Sequence, residues 1–135
     1  MKTRGIVVIL FLVAFACAPA KLNAQGTYSA RLISPKAGQV LHPGQKVRVE
    51  WKSKLPLRDV TGCEAEVWLS LDGGSTFTMW ISPIITPTTT SFVWTVPNTP
   101  TNAAVLDIRF GCEMRYPESY SPQPASTFVI QGQGG

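Results

Sequence analysis

The chain has 135 residues, with 12 Lys and Arg against 8 Asp and Glu, one His and three Cys. That length gives one domain with a sizeable core, not two. Without Lys2, Arg4 and Lys21, which lie in the N-terminal segment, the charge falls from +4 to +1. With a balance so close to neutral, no basic patch is expected that would suggest nucleic acid.

Lys2 and Arg4 precede an apolar run from Gly5 to Ala18, followed by small residues. A basic start and a short apolar stretch read as a signal peptide over residues 1–24. Ala18-Pro19-Ala20 and Leu22-Asn23-Ala24 are two candidate cleavage points. Cys17 raises the alternative of a lipid attached to its thiol, although Ala14-Phe15-Ala16 departs from the usual residues ahead of such a site. No apolar run after the leader is long enough for a transmembrane helix. The expected location is secreted, periplasmic or at the cell surface.

From Tyr28 onward the apolar pattern has period two, with Pro and Gly at short intervals. Strands are expected over 28–33, 39–41, 46–51, 63–71, 75–82, 91–96, 104–112 and 126–131. Short strands between turn residues make the fold class all-β, a sandwich of seven or eight strands over residues 25–131. Residues 132–135 are expected to be a disordered tail.

Alternation assigns faces. Val47, Val49 and Trp51 point inward from 46–51, while Lys46, Arg48 and Glu50 point out. Cys63, Ala65, Val67, Leu69 and Leu71 point inward from 63–71, with Glu64, Glu66, Trp68 and Ser70 outward. Ala104, Leu106, Ile108, Phe110 and Cys112 form the inner set of 104–112. Placing Cys63 opposite Cys112 on antiparallel neighbours makes every inner pair apolar. It also puts Glu66 opposite Arg109 and Trp68 opposite Asp107, where a one-residue slip would undo both. Two cysteines left in an exported chain read as one disulfide, worth roughly 4 kcal/mol for a loop of about 50 residues.

The stretch Ser70–Phe77 (SLDGGSTF) reads as a hairpin. A three-residue loop Asp72-Gly73-Gly74 sets Leu69 opposite Phe77, with Gly74 in the left-handed conformation. Asp72 would accept hydrogen bonds from turn amides. No metal is expected, because Asp72 is the sole acid between Glu66 and Asp107. Ser70, Asp72, Gly74, Thr76 and Phe77 resemble the Asp-box, a hairpin motif of sialidase propellers and other secreted β proteins. That resemblance implies a structural role and not a catalytic one.

Segments 32–51, 67–77, 91–100, 106–110 and 126–130 together resemble, in order, an Ig-like domain. Such domains stand at the N-terminus of Ser/Thr-rich GPI-anchored fungal cell-wall proteins and in related bacterial secreted proteins. Trp51 resembles the core Trp of fibronectin type III domains. The resemblance implies a seven-stranded sandwich acting as a surface accessory module, linked in fungi to wall β-glucan assembly. The Cys63/Cys112 pair is not part of that pattern, and neither a Ser/Thr-rich stalk nor an apolar anchor tail is present in this sequence.

The inventory for catalysis is thin. His42, the single histidine, sits in a turn (Leu41-His42-Pro43-Gly44), with no acid or oxyanion donors assignable to it. Glu64 and Glu66 are about 7 Å apart on one strand face, a spacing paired carboxylates use. They read better as a solvated face with Glu66 paired to Arg109. The chain is therefore not expected to be an enzyme or to hold a cofactor. Trp80 is expected opposite Glu66 and diagonal to Trp68, so Trp68, Trp80, Glu66, Asp107 and Arg109 share one outer patch. Its partner would be a cell-surface glycan or an envelope protein. The competing reading buries these indoles under the loop 113–125. The expected function is a non-catalytic binding or adhesion module. A structural wall- or envelope-assembly factor is the alternative, and a hydrolase a distant third.

Overall fold

Two sheets pack face to face in a computed structural model that describes residues 26–133. The expected leader, Cys17 with its lipid alternative, and the last two residues of the expected tail lie outside the described residues. One sheet holds β1 (Ser29–Ser34), β3 (Lys46–Lys54) and β6 (Ser91–Thr95) in the order β1-β3-β6. The other has the order β2-β9-β7-β4-β5, formed by β2 (Val40–Leu41), β4 (Cys63–Ser70), β5 (Met79–Trp80), β7 (Thr101–Cys112) and β9 (Phe128–Ile130). A short strand β8 (Tyr116–Ser119) also pairs with β7. The fold is an all-β sandwich.

Alternation builds the space between the sheets. Leu32, Val47, Val49, Trp51 and Trp94 of the first sheet meet Val67, Leu69, Leu106, Ile108 and Phe128 of the second. Trp51 is 1% exposed and packs edge-on against Phe92, with ring centroids 6.1 Å apart. A second cluster at one end gathers Tyr28, Phe110 and the two cysteines. Tyr28 stacks on Phe110 at 5.1 Å and donates its hydroxyl to the Ile108 carbonyl at 3.0 Å. Burial, and then the nearby Asp107 charge, push the Tyr28 phenol well above its ordinary pKa.

The expected pairing of β4 with β7 is the one observed, from Cys63 opposite Cys112 to Leu69 opposite Leu106. Cys63 and Cys112 form a disulfide with Cα atoms 4.1 Å apart. The Cys63 amide donates to Val60 and not across to Cys112, so this is a non-hydrogen-bonded pair, the closer kind.

The hairpin differs from expectation. Trp68 pairs with Trp80 and Leu69 with Met79, a register two residues wider than the three-residue loop. The expected strand 75–82 is reduced to Met79–Trp80. Tertiary contacts explain the slip, because the loop folds onto β7 instead of closing on itself. Gly73 donates to the Ala103 carbonyl at 2.9 Å, Thr101 donates its hydroxyl to Leu71 at 2.7 Å, and Gly74 lies against Val105. Both Gly73 (φ 73°) and Gly74 (φ 94°) are left-handed, where one was expected. Ser70, expected outward in solvent, is fully buried and is the hub of the loop. It donates to Asp72 Oδ1 at 2.6 Å and accepts from the amides of Asp72 and Gly74.

Asp72 in turn accepts from the Thr76 amide at 2.9 Å and the Thr76 hydroxyl at 2.6 Å. These donors, Ser70 first, hold its carboxyl down at about 2. A depressed folded-state pKa contributes stability that is fully present above the unfolded value of about 4 and is lost as pH falls toward the folded one. Asp72→Asn is therefore expected to melt below the native chain at neutral pH. The gap should close as pH falls from about 4 to about 2, and a gap independent of pH would refute the assignment.

A broken return strand runs antiparallel along the free edge of β7. It consists of β8, residues 120–123, a 3-10 turn at Pro124–Ser126, and β9. Its middle ties the two sheets together. Ser121 Oγ accepts from the Ala30 amide at 3.0 Å and Gln123 Oε1 from the Leu32 amide at 2.9 Å, while Gln123 Nε2 donates to the Ala30 carbonyl at 2.8 Å. Side chains of this segment thereby satisfy backbone groups on the open edge of β1.

Candidate functional site

The outer face of the β4-β7 pair brings all five expected residues together. Trp68 (β4) and Trp80 (β5) are directly opposed and stack, with centroids 6.4 Å apart and planes 19° from parallel. Arg109 (β7) lies over the other face of the array, its guanidinium carbon 4.6 Å from the Trp68 centroid. The same carbon is 4.7 Å from the ring of Tyr120, so the order is Trp80, Trp68, Arg109, Tyr120. Each cation-aromatic contact contributes about 0.5–2 kcal/mol, more as water is excluded.

Three expectations about this patch need correction. Trp80 faces Trp68 and not Glu66, a consequence of the wider hairpin. Asp107 is 2% exposed, because residues 120–123 cross over it. Arg109 pairs with Asp107, at 2.8 Å, although Glu66 is its cross-strand neighbour. Asp107 also accepts from the Ser121 amide at 2.8 Å, so its two oxygens clamp Arg109 on one side and the return strand on the other. Glu66 instead accepts from the Trp68 indole at 3.0 Å. The indole of Trp80 donates to Ser82 Oγ at 3.3 Å.

Tyr120 was absent from the expected set. Alternation alone puts Tyr116 and Tyr120 on the same face, but a bulge in β8 puts them on opposite ones. Phe110 opposes Ser119 while Cys112 opposes Tyr116, an extra residue that reverses the order of faces. Tyr116 packs inward on Phe110 at 5.6 Å and Tyr120 outward on Arg109. Gly111 sits at this bulge, and a Cβ there would lie 3.2 Å from the Glu118 Cα. The signal was the glycine inside a strand, a mark of close backbone approach.

Beside the array lies an open groove of about 600 Å³. Glu64, Glu66 and Arg109 form its floor, and the turn and strand from Met114 to Glu118 form a wall. Met114 is 99% exposed at the rim, in a left-handed conformation. Arg115 donates to the Thr61 carbonyl and sits 3.8 Å from Asp59, anchoring the wall to the loop before β4. The Thr61 amide and then its side chain hold the Asp59 carboxyl below the usual range. Trp80 and Tyr120, 48% and 58% exposed, offer ring faces beside this polar trough.

His42 is exposed, and its backbone amide donates to Gln45 within the turn. Among the described residues no group of three or more His, Cys, Asp or Glu converges on one point. No helix of the described residues is long and apolar enough to cross a membrane. Comparison with protein-family models, with curated proteins and with solved structures finds no match.

Proposed function

We propose that the chain is an exported, non-catalytic binding module of Ig/fibronectin-III-like build that takes a glycan on the outer face of β4 and β7. The strand orders support the build. Taken in chain order, β1-β3-β6 corresponds to A-B-E, and β9-β7-β4 to G-F-C, of an Ig-like sandwich. The disulfide differs, joining neighbours within one sheet instead of bridging the two.

The observation that carries the reading is the stacked array with its groove. Half-exposed aromatic rings present flat apolar surface to the C–H face of a sugar ring. Glu64, Glu66 and Arg109 stand beside them as acceptors and donors for hydroxyls. The stack and the Asp107 clamp fix the array before any ligand arrives, which lowers the ordering cost of binding. A protein partner is the second reading. It is favoured by β6, an edge strand with Val93 60% exposed.

A panel of cell-wall polysaccharides and an envelope-protein extract, each tested for co-sedimentation or capture, separates the two. Trp80→Ala is expected to weaken polysaccharide binding at least about tenfold while costing under about 1 kcal/mol of stability, since the ring is half solvated. Binding that survives this substitution, or capture of proteins alone, overturns the glycan reading.

A further inference from the structure

The near-neutral balance of residues 26–133 conceals a separation of charge. Arg31, Lys46, Arg48, Lys52 and Lys54 all lie on the solvent face of the three-stranded sheet, and every one is exposed. Glu50 is the single carboxylate on its strands. The acids Glu64, Glu66, Asp107 and Glu118 belong to β4, β7 and β8 of the other sheet. Both ion pairs among the described residues, Arg109–Asp107 and Arg115–Asp59, lie away from the cationic face.

The arrangement is unfavourable for the isolated fold. Arg31 and Lys52 are directly opposed across β1 and β3, where like charges repel. From Lys46 to Lys54 the row runs about 26 Å along one strand, with outward positions about 7 Å apart. Ser29 and Thr95 stand opposite Lys54 and Lys46 on the flanking strands, and Ser91 accepts from Arg48 at 3.1 Å. We infer that this face is a second binding surface, independent of the aromatic array, for an extended acidic polysaccharide.

The other anionic surfaces fit less well. A bilayer surface calls for apolar anchors, and Phe92, Trp94 and Trp51 all turn inward, leaving Val93 as the exposed large apolar side chain on these strands. Single-stranded nucleic acid calls for aromatic platforms on which bases stack, and none lies on this face. A second copy would have to seat this flat face in the groove, where Arg109 and Arg115 stand among the acids.

The test uses heparin as the acidic polysaccharide, with poly(dT) and phosphatidylglycerol vesicles as competing probes. The native chain should bind heparin in a salt-dependent manner. Arg48→Ser with Lys52→Ser should weaken binding at least about tenfold and reduce the slope of log K against log salt by about 2, near one per cation removed. Lys36→Ser with Arg58→Ser, which removes equal charge outside the strands, should leave it within about twofold. Lys52→Glu should weaken heparin binding while keeping or raising the melting temperature, because it relieves the repulsion with Arg31. Equal losses from the two double variants, no heparin binding, or tighter binding to poly(dT) or vesicles would each overturn the inference. So would self-association that Lys52→Glu abolishes. Trp80→Ala leaves heparin binding intact if the two faces are separate, so failure here is distinguishable from failure of the glycan reading.

Discussion

Replacing Cys63 and Cys112 together by alanine is expected to lower the unfolding free energy by about 4 kcal/mol. The bridge joins residues 49 positions apart, so its loss returns a long loop's freedom to the unfolded chain. The native state loses little in exchange. The pair sits at the end of β4 and β7, whose ladder holds the register as far as Ser70 and Val105 without it. Tyr28 and Phe110 remain stacked beside the vacated space. Urea unfolding of the native and doubly substituted chains measures the difference, and the native chain in reductant should shift toward the variant. Coincident midpoints would show that the bridge contributes nothing to stability.

Asp107→Ala is expected to cost about 3–5 kcal/mol. This carboxylate is buried, and its two oxygens serve Arg109 Nε and the Ser121 amide, both at 2.8 Å. Removing it leaves a largely buried guanidinium and a backbone donor without their acceptor, the costly side of a broken buried pair. Asp107→Asn keeps an acceptor for Ser121 but turns its NH2, a donor, toward Arg109 Nε–H, so it loses both the charge and that hydrogen bond, and its cost should be only somewhat smaller. Because Arg109 spans Trp68 and Tyr120, Asp107→Ala should also weaken ligand binding, whereas Trp80→Ala affects binding and spares stability. Thermal melting alongside the polysaccharide assay separates these cases. An Asp107→Ala protein as stable as the native chain would mean that the clamp is not structural.

Much of the second sheet was legible because two constraints coincided. Period-two alternation assigned the inner sets of 63–71 and 104–112. Setting Cys63 against Cys112 then made each inner pair apolar, which a one-residue slip would have destroyed. The hairpin after Leu71 lacked such a check. A slip of two residues leaves every side chain on its own face, so alternation accepts either register equally. The contacts of Gly73 with Ala103 and of Thr101 with Leu71 chose between them. Those partners are about thirty residues away, beyond the reach of any local pattern.

The same limit governed the candidate site. Trp68, Trp80, Glu66, Asp107 and Arg109 lie on one face of the sheet, since strand pairing alone accomplishes that. Which of them meet solvent was decided by coverage. The return strand buries Asp107 and supplies Tyr120, and the loop at Gly74 covers Val105. Lys46 and Arg48 were assigned to an outer face, but Lys52 and Lys54 lay past the expected strand, and their union with Arg31 required β3 to run on to Lys54 and to pair with β1.

Side-chain period and composition determined the fold class, the inner faces and the pairing of β4 with β7, because those follow from sorting apolar from polar groups along single strands. Tertiary structure alone decided the hairpin register, the burial of Ser70 and Asp107, the fourth member of the stack and the two charged faces. Each of those depends on a distant segment lying over a strand, and alternation within one strand carries no record of what will cover it.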